Sequence, residues 1–310
     1  MAAPKSPRKG SLQYWPRKRA SKFFPSVNWD AINSGKNIKG FIGYKAGMAS
    51  CLVKDKTPDS MSKEKKIIIP ITILECPPMK ILSVRFYKNG VVMADIISEN
   101  LDKELKSKIK FPKVKMKKIE DIKGYDDIRI IAYSEVKKTN IKKTPDLSEI
   151  GLSGSLEEKI NFVKTNLNKE IQVSDIFEKG QLIDLRGLTK GKGLQGPVKR
   201  FGITLRQHKS EKGVRKVGSV GPWHPRRITF RVPQAGQLGM FTRVQYNGKI
   251  IEIGKGNLEN VKNFGSVKMD YLLIYGSVHG PSKRQILVTA PLRQTKKIAK
   301  KNFEFLGVIR

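Results

Sequence analysis

Between Arg186 and Arg243 the chain sets 14 Lys/Arg against a single acid, Glu211, among ten glycines and one tryptophan, Trp223. A folded interior cannot hold that much unpaired charge, because each buried ion without a partner costs more than its packing returns. The segment therefore leaves whatever core the rest of the chain builds. Its composition predicts an excursion that becomes ordered against a polyanion.

The remainder is rich enough to build that core. At 310 residues with 38% hydrophobic side chains, the chain supports a sizeable interior and two structural units. A formal net charge of +35 and a pI near 10.2 exceed what solubility requires, and such a surface concentrates phosphate or anionic lipid. Nucleic acid is the expected partner. A membrane is not: the longest uncharged apolar run, Ile67 to Leu74, is one strand long and contains Pro70, whereas a spanning helix needs ~20 apolar residues. Cys51 and Cys76 stand far apart without a CxxC partner, so neither a zinc ligand set nor a disulfide framework is expected. A reducing cytoplasm is the natural compartment.

Residues 1–36 read as a basic amino-terminal extension. Residues 1–25 hold seven Lys/Arg and no acid, with Pro4, Pro7, Pro16 and Pro25 set between Tyr14, Trp15, Phe23 and Phe24. These prolines would repeatedly break the amphipathic helix of an organellar presequence. Two readings of the aromatics stay open. They stack on bases while the cations meet phosphates, or they dock on the protein's own core.

From Gly40 the short β-branched runs Gly40–Ala49 and Ile67–Glu75 predict buried strands. Two further runs flank Asn89-Gly90, a type I′ hairpin signal. Between Ser98 and Glu178, 81 residues carry 15 of the 27 acids and show helical patterns. The clearest starts at the capping box Ser155…Glu158, with Leu156, Ile160, Val163 and Leu167 on one face. Its mixed surface reads as solvated, although Lys106 to Lys118 offers a basic edge. Gln181–Leu188 returns to strand character, Asn247-Gly248 predicts a second I′ hairpin, and strands at Tyr271–Tyr275 and Gln285–Thr289 precede a Lys-rich segment from Arg293 to Lys301. The economical architecture is mainly β with an α/β insertion: a barrel or sandwich core over residues 37–78 and 180–310, a basic finger at about 187–240 and an insertion at 79–179.

Chemical motifs are few. Gly191-Lys-Gly-Leu-Gln-Gly196 satisfies GxGxxG, but no apolar helix and no acid about 20 residues on follow it, so no dinucleotide is expected. The glycines let backbone amides approach phosphates instead. His208, His224 and His279 lie in no metal spacing and beside no nucleophile signature, so an enzyme is disfavoured. His224 reads as an RNA contact or as a structural side chain. A lone tryptophan is usually a core anchor. Trp223, however, sits between Pro222 and Pro225 with Arg226 and Arg227 following, and a stiff tip carrying a flat ring among guanidiniums suits splayed RNA bases.

These segments together resemble the universal large-subunit ribosomal protein L-three family in its archaeal form, over nearly the whole chain. The carriers are the basic arm with Phe23-Phe24-Pro25, Gly40-Phe-Ile-Gly-Tyr-Lys-Ala-Gly-Met48, Gly187-Leu-Thr-Lys-Gly-Lys-Gly193, Gly213-Val-Arg-Lys-Val-Gly218, Gly221-Pro-Trp-His-Pro225, Ala235-Gly-Gln-Leu-Gly239 and Gly280-Pro-Ser-Lys-Arg284. The resemblance implies a translation-factor-like β-barrel with a long internal extension and an α/β insertion. It implies binding to large-subunit rRNA near its 3′ domain, a role in early subunit assembly, and neighbours among the large-subunit ribosomal proteins. On this reading Pro222, Trp223, His224 and Pro225 form a fingertip reaching toward the peptidyl transferase centre. The tip would stand beside the path of aminoacyl-tRNA accommodation, an indirect link to aminoacyl-tRNA and elongation factors, and Gln237 would lie near the finger's return.

The rRNA-binding residues so implied are Arg8, Lys9, Trp15, Arg17, Lys18, Arg19 and Lys22 of the arm, Lys45, and Lys283 with Arg284. In the finger they are Lys190, Lys192, Lys199, Arg200, Arg206, His208, Lys209, Lys212, Arg215, Lys216, Trp223, His224, Arg226, Arg227, Arg231, Gln237 and Arg243. No cofactor, metal, membrane or small-molecule substrate is expected. Eukaryotic members carry a methylated histidine twelve residues before the tryptophan, and Glu211 stands there in this chain. Bacterial members lack the tryptophan, and the short carboxyl end points to the archaeal side. Two rival functions remain at this point: a nucleic-acid enzyme, and a free regulator that binds isolated duplexes or hairpins.

Overall fold

The computed structural model describes residues 7–111, 119–256 and 258–309. Residues 112–118 of the Lys106–Lys118 edge lie outside the described residues. The fold is mainly β, and it divides into two compact units. The first comprises Phe24–Gly187 and Arg243–Arg310, and the second Met1–Phe23 and Leu188–Thr242.

The β-branched runs become strands. In chain order these are β1 (Gly40–Asp55), β2 (Lys66–Glu75), β3 (Met79–Lys88), β4 (Val91–Ile97), β5 (Asp127–Ser134) and β6 (Leu147–Gly151), followed by helix α1 (Leu156–Asn166) and β7 (Leu182–Leu188). Two-residue strands β8 (Leu194–Gln195) and β9 (Gly236–Gln237) flank helix α2 (Pro197–Phe201) in the second unit. The chain then returns through β10 (Thr242–Gly254), β11 (Leu258–Val261), β12 (Gly265–Val267), β13 (Tyr271–Tyr275) and β14 (Gln285–Thr289). Helix α3 (Lys296–Ala299) and β15 (Phe303–Ile309) complete it.

The main sheet has the order β14-β7-β10-β13-β2-β1-β15. The length of β1 lets one of its edges serve two partners: Gly40 to Tyr44 pair with β14, and Ser50 to Asp55 pair with β15. Since β14 also stands at the far end of that order, the ladder returns to its first strand. A second sheet has the order β4-β3-β5-β6. Its β3–β4 turn holds Asn89 at φ 49° and Gly90 at φ 75°, the two positive angles of a I′ turn that the sequence predicts. One hydrophobic cluster joins Phe41, Leu74, Leu185 and Leu287 with Phe86 and Ile130 of the second sheet and Val163 of α1.

Helix α1 opens with the expected capping box: Ser155 Oγ accepts from Glu158 N–H at 3.4 Å, and Glu158 Oε2 accepts from Ser155 N–H at 3.0 Å. Ile160 and Leu167 pack against the cluster beside Val163, whereas Leu156, at the first helical position, is exposed.

The second predicted hairpin is corrected. β10 runs straight through Asn247-Gly248, because only Asn247 adopts a positive φ, 55°, and a I′ turn needs two. The buried carboxylate of Asp184 takes the N–H of Asn247 at 2.9 Å, so the irregularity anchors β10 to β7 rather than reversing the chain. Strand β15 is a further difference, since the sequence suggests only a Lys-rich end. Many acids of the first unit pair with cations of the same unit: Arg129 alone reaches Asp30 and Asp127 at 3.1 Å and Glu149 at 3.4 Å.

Candidate nucleic-acid interface

The second unit joins the arm to the excursion. The two ends of the excursion are zipped by backbone bonds: Thr189 N–H to Phe241 O at 3.0 Å, Lys192 N–H to Leu238 O at 2.9 Å and Leu238 N–H to Gly193 O at 2.9 Å. β8 pairs with β9 between them. Gly239 makes this closure possible. Its φ is 75°, and a Cβ there would lie 1.8 Å from the carbonyl oxygen of Lys190. Gly196 and Pro197 open α2, which Gly202 ends in a left-handed conformation at φ 67°. At five residues, α2 is no dinucleotide-binding helix.

Arg200 spends its guanidinium on the returning strand, donating to Gln237 O and Gln234 O at 3.0 Å each. Gln237 turns its amide onto its own chain, at 3.2 Å from Leu238 O and 3.1 Å from Gly239 O. Farther out, Arg206 N–H meets Val214 O at 3.0 Å. Every residue from Gly218 to Arg231 is exposed. Trp223 is 75% exposed with the Arg226 guanidinium 5.5 Å from its ring centre, so it is not the core anchor that a lone tryptophan usually is.

The arm lies along this excursion. Ala20 N–H donates to Met240 O at 2.9 Å, and Arg8 donates to Arg231 O at 2.5 Å. Trp15 meets Phe230 edge to face, and the Arg17 guanidinium covers Phe201 at 4.4 Å. Part of the arm thus docks on its own chain, while Tyr14 and Phe23 stay exposed. Motif spacing and composition do not single out Phe201 and Phe230. Their position among arginines, in a chain with an aromatic-rich arm, is the signal that marks them.

The implied contact residues fall into groups. Arg8, Lys18, Arg19, Lys22, Lys190, Lys192, Lys199, Arg206, His208, Lys209, Lys212, Arg215, Lys216, Pro222, Trp223, His224, Pro225, Arg226, Arg227, Arg231 and Lys283 are exposed. Lys9, Trp15, Arg17, Arg200, Gln237, Arg243 and Arg284 are half-buried. Lys45 is buried, its ammonium donating to the carbonyls of Val278 and Gly280. The second unit brings together 19 of the chain's 62 Lys/Arg and one of its 27 acids, Glu211, which places about half of the net charge on a quarter of the residues.

Chemistry of other kinds finds little here. Among the described residues no three His, Cys, Asp or Glu side chains converge to hold a metal ion. Burial raises the Cys76 thiol and, with Glu252 nearby, pushes Cys51 up to about 11. His279 is held down to about 4 by burial and by Lys45. No helix among the described residues is long and apolar enough to cross a membrane.

A mainly β fold with a cation-dense, acid-poor second unit has the charge distribution of the polyanion-binding class of proteins. The family model described as ribosomal protein L3 matches residues 1–305, and the chain belongs to that family. Similar proteins include the large ribosomal subunit protein uL3 of Methanocaldococcus jannaschii, 36% identical over 95% of this chain and 93% of its own length. Those of Archaeoglobus fulgidus (38%; 94% and 93%) and Methanothrix thermoacetophila (38%; 99% and 98%) are alike in extent.

Proposed function

We propose that this chain is a non-catalytic structural protein of the large ribosomal subunit in the cytoplasm, where it binds large-subunit rRNA among other ribosomal proteins. The observation that carries the reading is the second unit: 19 Lys/Arg against Glu211 find almost no acid within it and suit an external polyanion, and membership of the ribosomal protein L3 family supports rRNA as that polyanion. The return of the main sheet to its first strand supports a closed barrel like those of translation factors as the body. On that division residues 37–78 and 180–310 form the barrel, 79–179 the insertion, 1–36 the arm and about 187–240 the finger.

The finger carries Trp223 at its exposed tip toward the peptidyl transferase centre. There it acts sterically on the path of aminoacyl-tRNA, and through it on elongation factors, while the arm and the barrel seat near the rRNA 3′ domain early in assembly. The exposure of Gly218 to Arg231 supports a tip ordered by RNA. Ultraviolet crosslinking in purified ribosomes, mapped to rRNA position, tests this. Crosslinks from Trp223 at the peptidyl transferase centre are expected, and crosslinks confined to the subunit exterior would refute the finger's placement.

A further inference from the structure

The Gly280–Arg284 turn and Lys45 form a unit that the sequence does not suggest. Arg284 N–H donates to Pro281 O at 3.3 Å, closing a turn whose third residue is Lys283. Lys283 has φ 68°, a left-handed angle that such a turn normally assigns to glycine. A lysine kept at a glycine position, with its side chain exposed, is an outlier of the kind that points to use of the side chain. Lys45 lies beneath it in β1, only 7% exposed. Its backbone brackets the turn, donating to Arg284 O at 2.9 Å and accepting from Lys283 N–H at 2.7 Å. Its ammonium donates to the carbonyl of Val278 and, at 3.2 Å, to that of Gly280. Three connections thus run from one residue to this short loop, and a fourth to Val278 just before it.

We infer that Lys283 contacts a phosphate of the RNA and that Lys45 is its positioning residue, holding the turn from inside rather than touching RNA itself. A buried ammonium that is 7% exposed and bound to the carbonyls of Val278 and Gly280 points into the protein rather than toward a phosphate, and it fixes the loop whose strained third residue projects a cation outward. This assigns Lys45 a different role from that of the exposed cations, and it rests on the proposed rRNA binding.

The test uses the full chain and protein-free large-subunit rRNA, with affinity followed over a range of salt. Wild type is compared with Lys283→Gly, Lys45→Met and the double variant. Lys283→Gly removes both the cation and the strain. It should raise Tm by about 1–2 °C while weakening binding several-fold and lowering the salt slope by about 0.7–0.9. Lys45→Met should weaken binding to a similar degree, and the double variant should bind no worse than either single one, because both lose the same contact. An additive loss with a slope lower by about two contacts would show that Lys45 meets a phosphate directly and would overturn the inference. Should Lys45→Met fail to fold, Lys283→Gly decides alone: unchanged binding, or a lowered Tm, sinks the idea. A wild-type protein that shows no salt-dependent RNA binding would instead refute the proposed function.

Discussion

Trp15 and Phe230 meet edge to face, with ring centroids 5.1 Å apart and planes at 74°, and this contact fastens the arm to the returning limb of the excursion. Both residues belong to the second unit, whose regular structure, among its described residues, is one five-residue helix and two two-residue strands. Trp15→Ala should loosen that unit by about 2 kcal/mol. Trypsin would then cut within residues 188–242 more than tenfold faster, with cleavage of the first unit unchanged. Equal protection in both proteins would mean that the ring pair contributes nothing.

Asp184 makes the opposite kind of tie, inside the body. Its two carboxylate oxygens accept from Asn247 N–H and from Leu292 N–H, each at 2.9 Å. Asp184→Ala strands two backbone donors, one on β10 and one just after β14, at a cost of about 2–4 kcal/mol. Chemical denaturation of the first unit should show the midpoint falling accordingly without a change in slope.

Trp223→Ala separates exposure from anchoring. With three-quarters of the residue open to solvent, unfolding free energy should move by less than about 0.5 kcal/mol, while ribosomes carrying the variant should change in aminoacyl-tRNA accommodation or in their response to peptidyl transferase antibiotics. A loss of several kcal/mol in the isolated protein would make it a core residue after all.

Glycines within the excursion should not be equivalent. Gly239→Ala drives a methyl group into the Lys190 carbonyl from a left-handed backbone, and it should open the zipped base. Gly218→Ala meets nothing within 4 Å and has an ordinary φ, so it should be silent. Amide exchange at Lys192 and Leu238 reads the difference: fast in the first variant and slow in the second.

His279 gives a pH dependence. In the unfolded chain it takes up a proton near 6.5, but in the fold only near 4, because burial and Lys45 disfavour the imidazolium. Between these values the unfolded state binds the extra proton, so this group's stabilisation is complete above about pH 6.5 and is lost as the pH falls toward 4. The stability difference between wild type and His279→Gln should shrink across that window and stay level above it.

Much of the body was legible because its signals are local. The capping box at Ser155 and the paired positive angles at Asn89-Gly90 are decided within four residues, and both form as the sequence suggests. Asn247-Gly248 carries the same dipeptide and fails, because Asp184, distant in sequence, takes the N–H of Asn247. Strand β15 has no local signal for a related reason: its pairing with Ser50 to Asp55 depends on the full length of β1. In the interface the excess of cations could be counted directly. That Lys45 turns inward, and that Arg17 settles on Phe201 at 4.4 Å, depend on chain segments meeting from far apart, which composition and spacing do not encode.

The composite make-up of the second unit has a consequence for the order of manufacture. Trp15, Arg17 and Ala20 leave the synthesising machinery well before Phe230, Phe201 and Met240, to which they attach, since these come some two hundred residues later. At about 5–20 residues per second the wait is roughly 10–40 s. For that interval the cations from Arg8 to Lys22 trail without their own scaffold, so a segment made early is among the last to find its place.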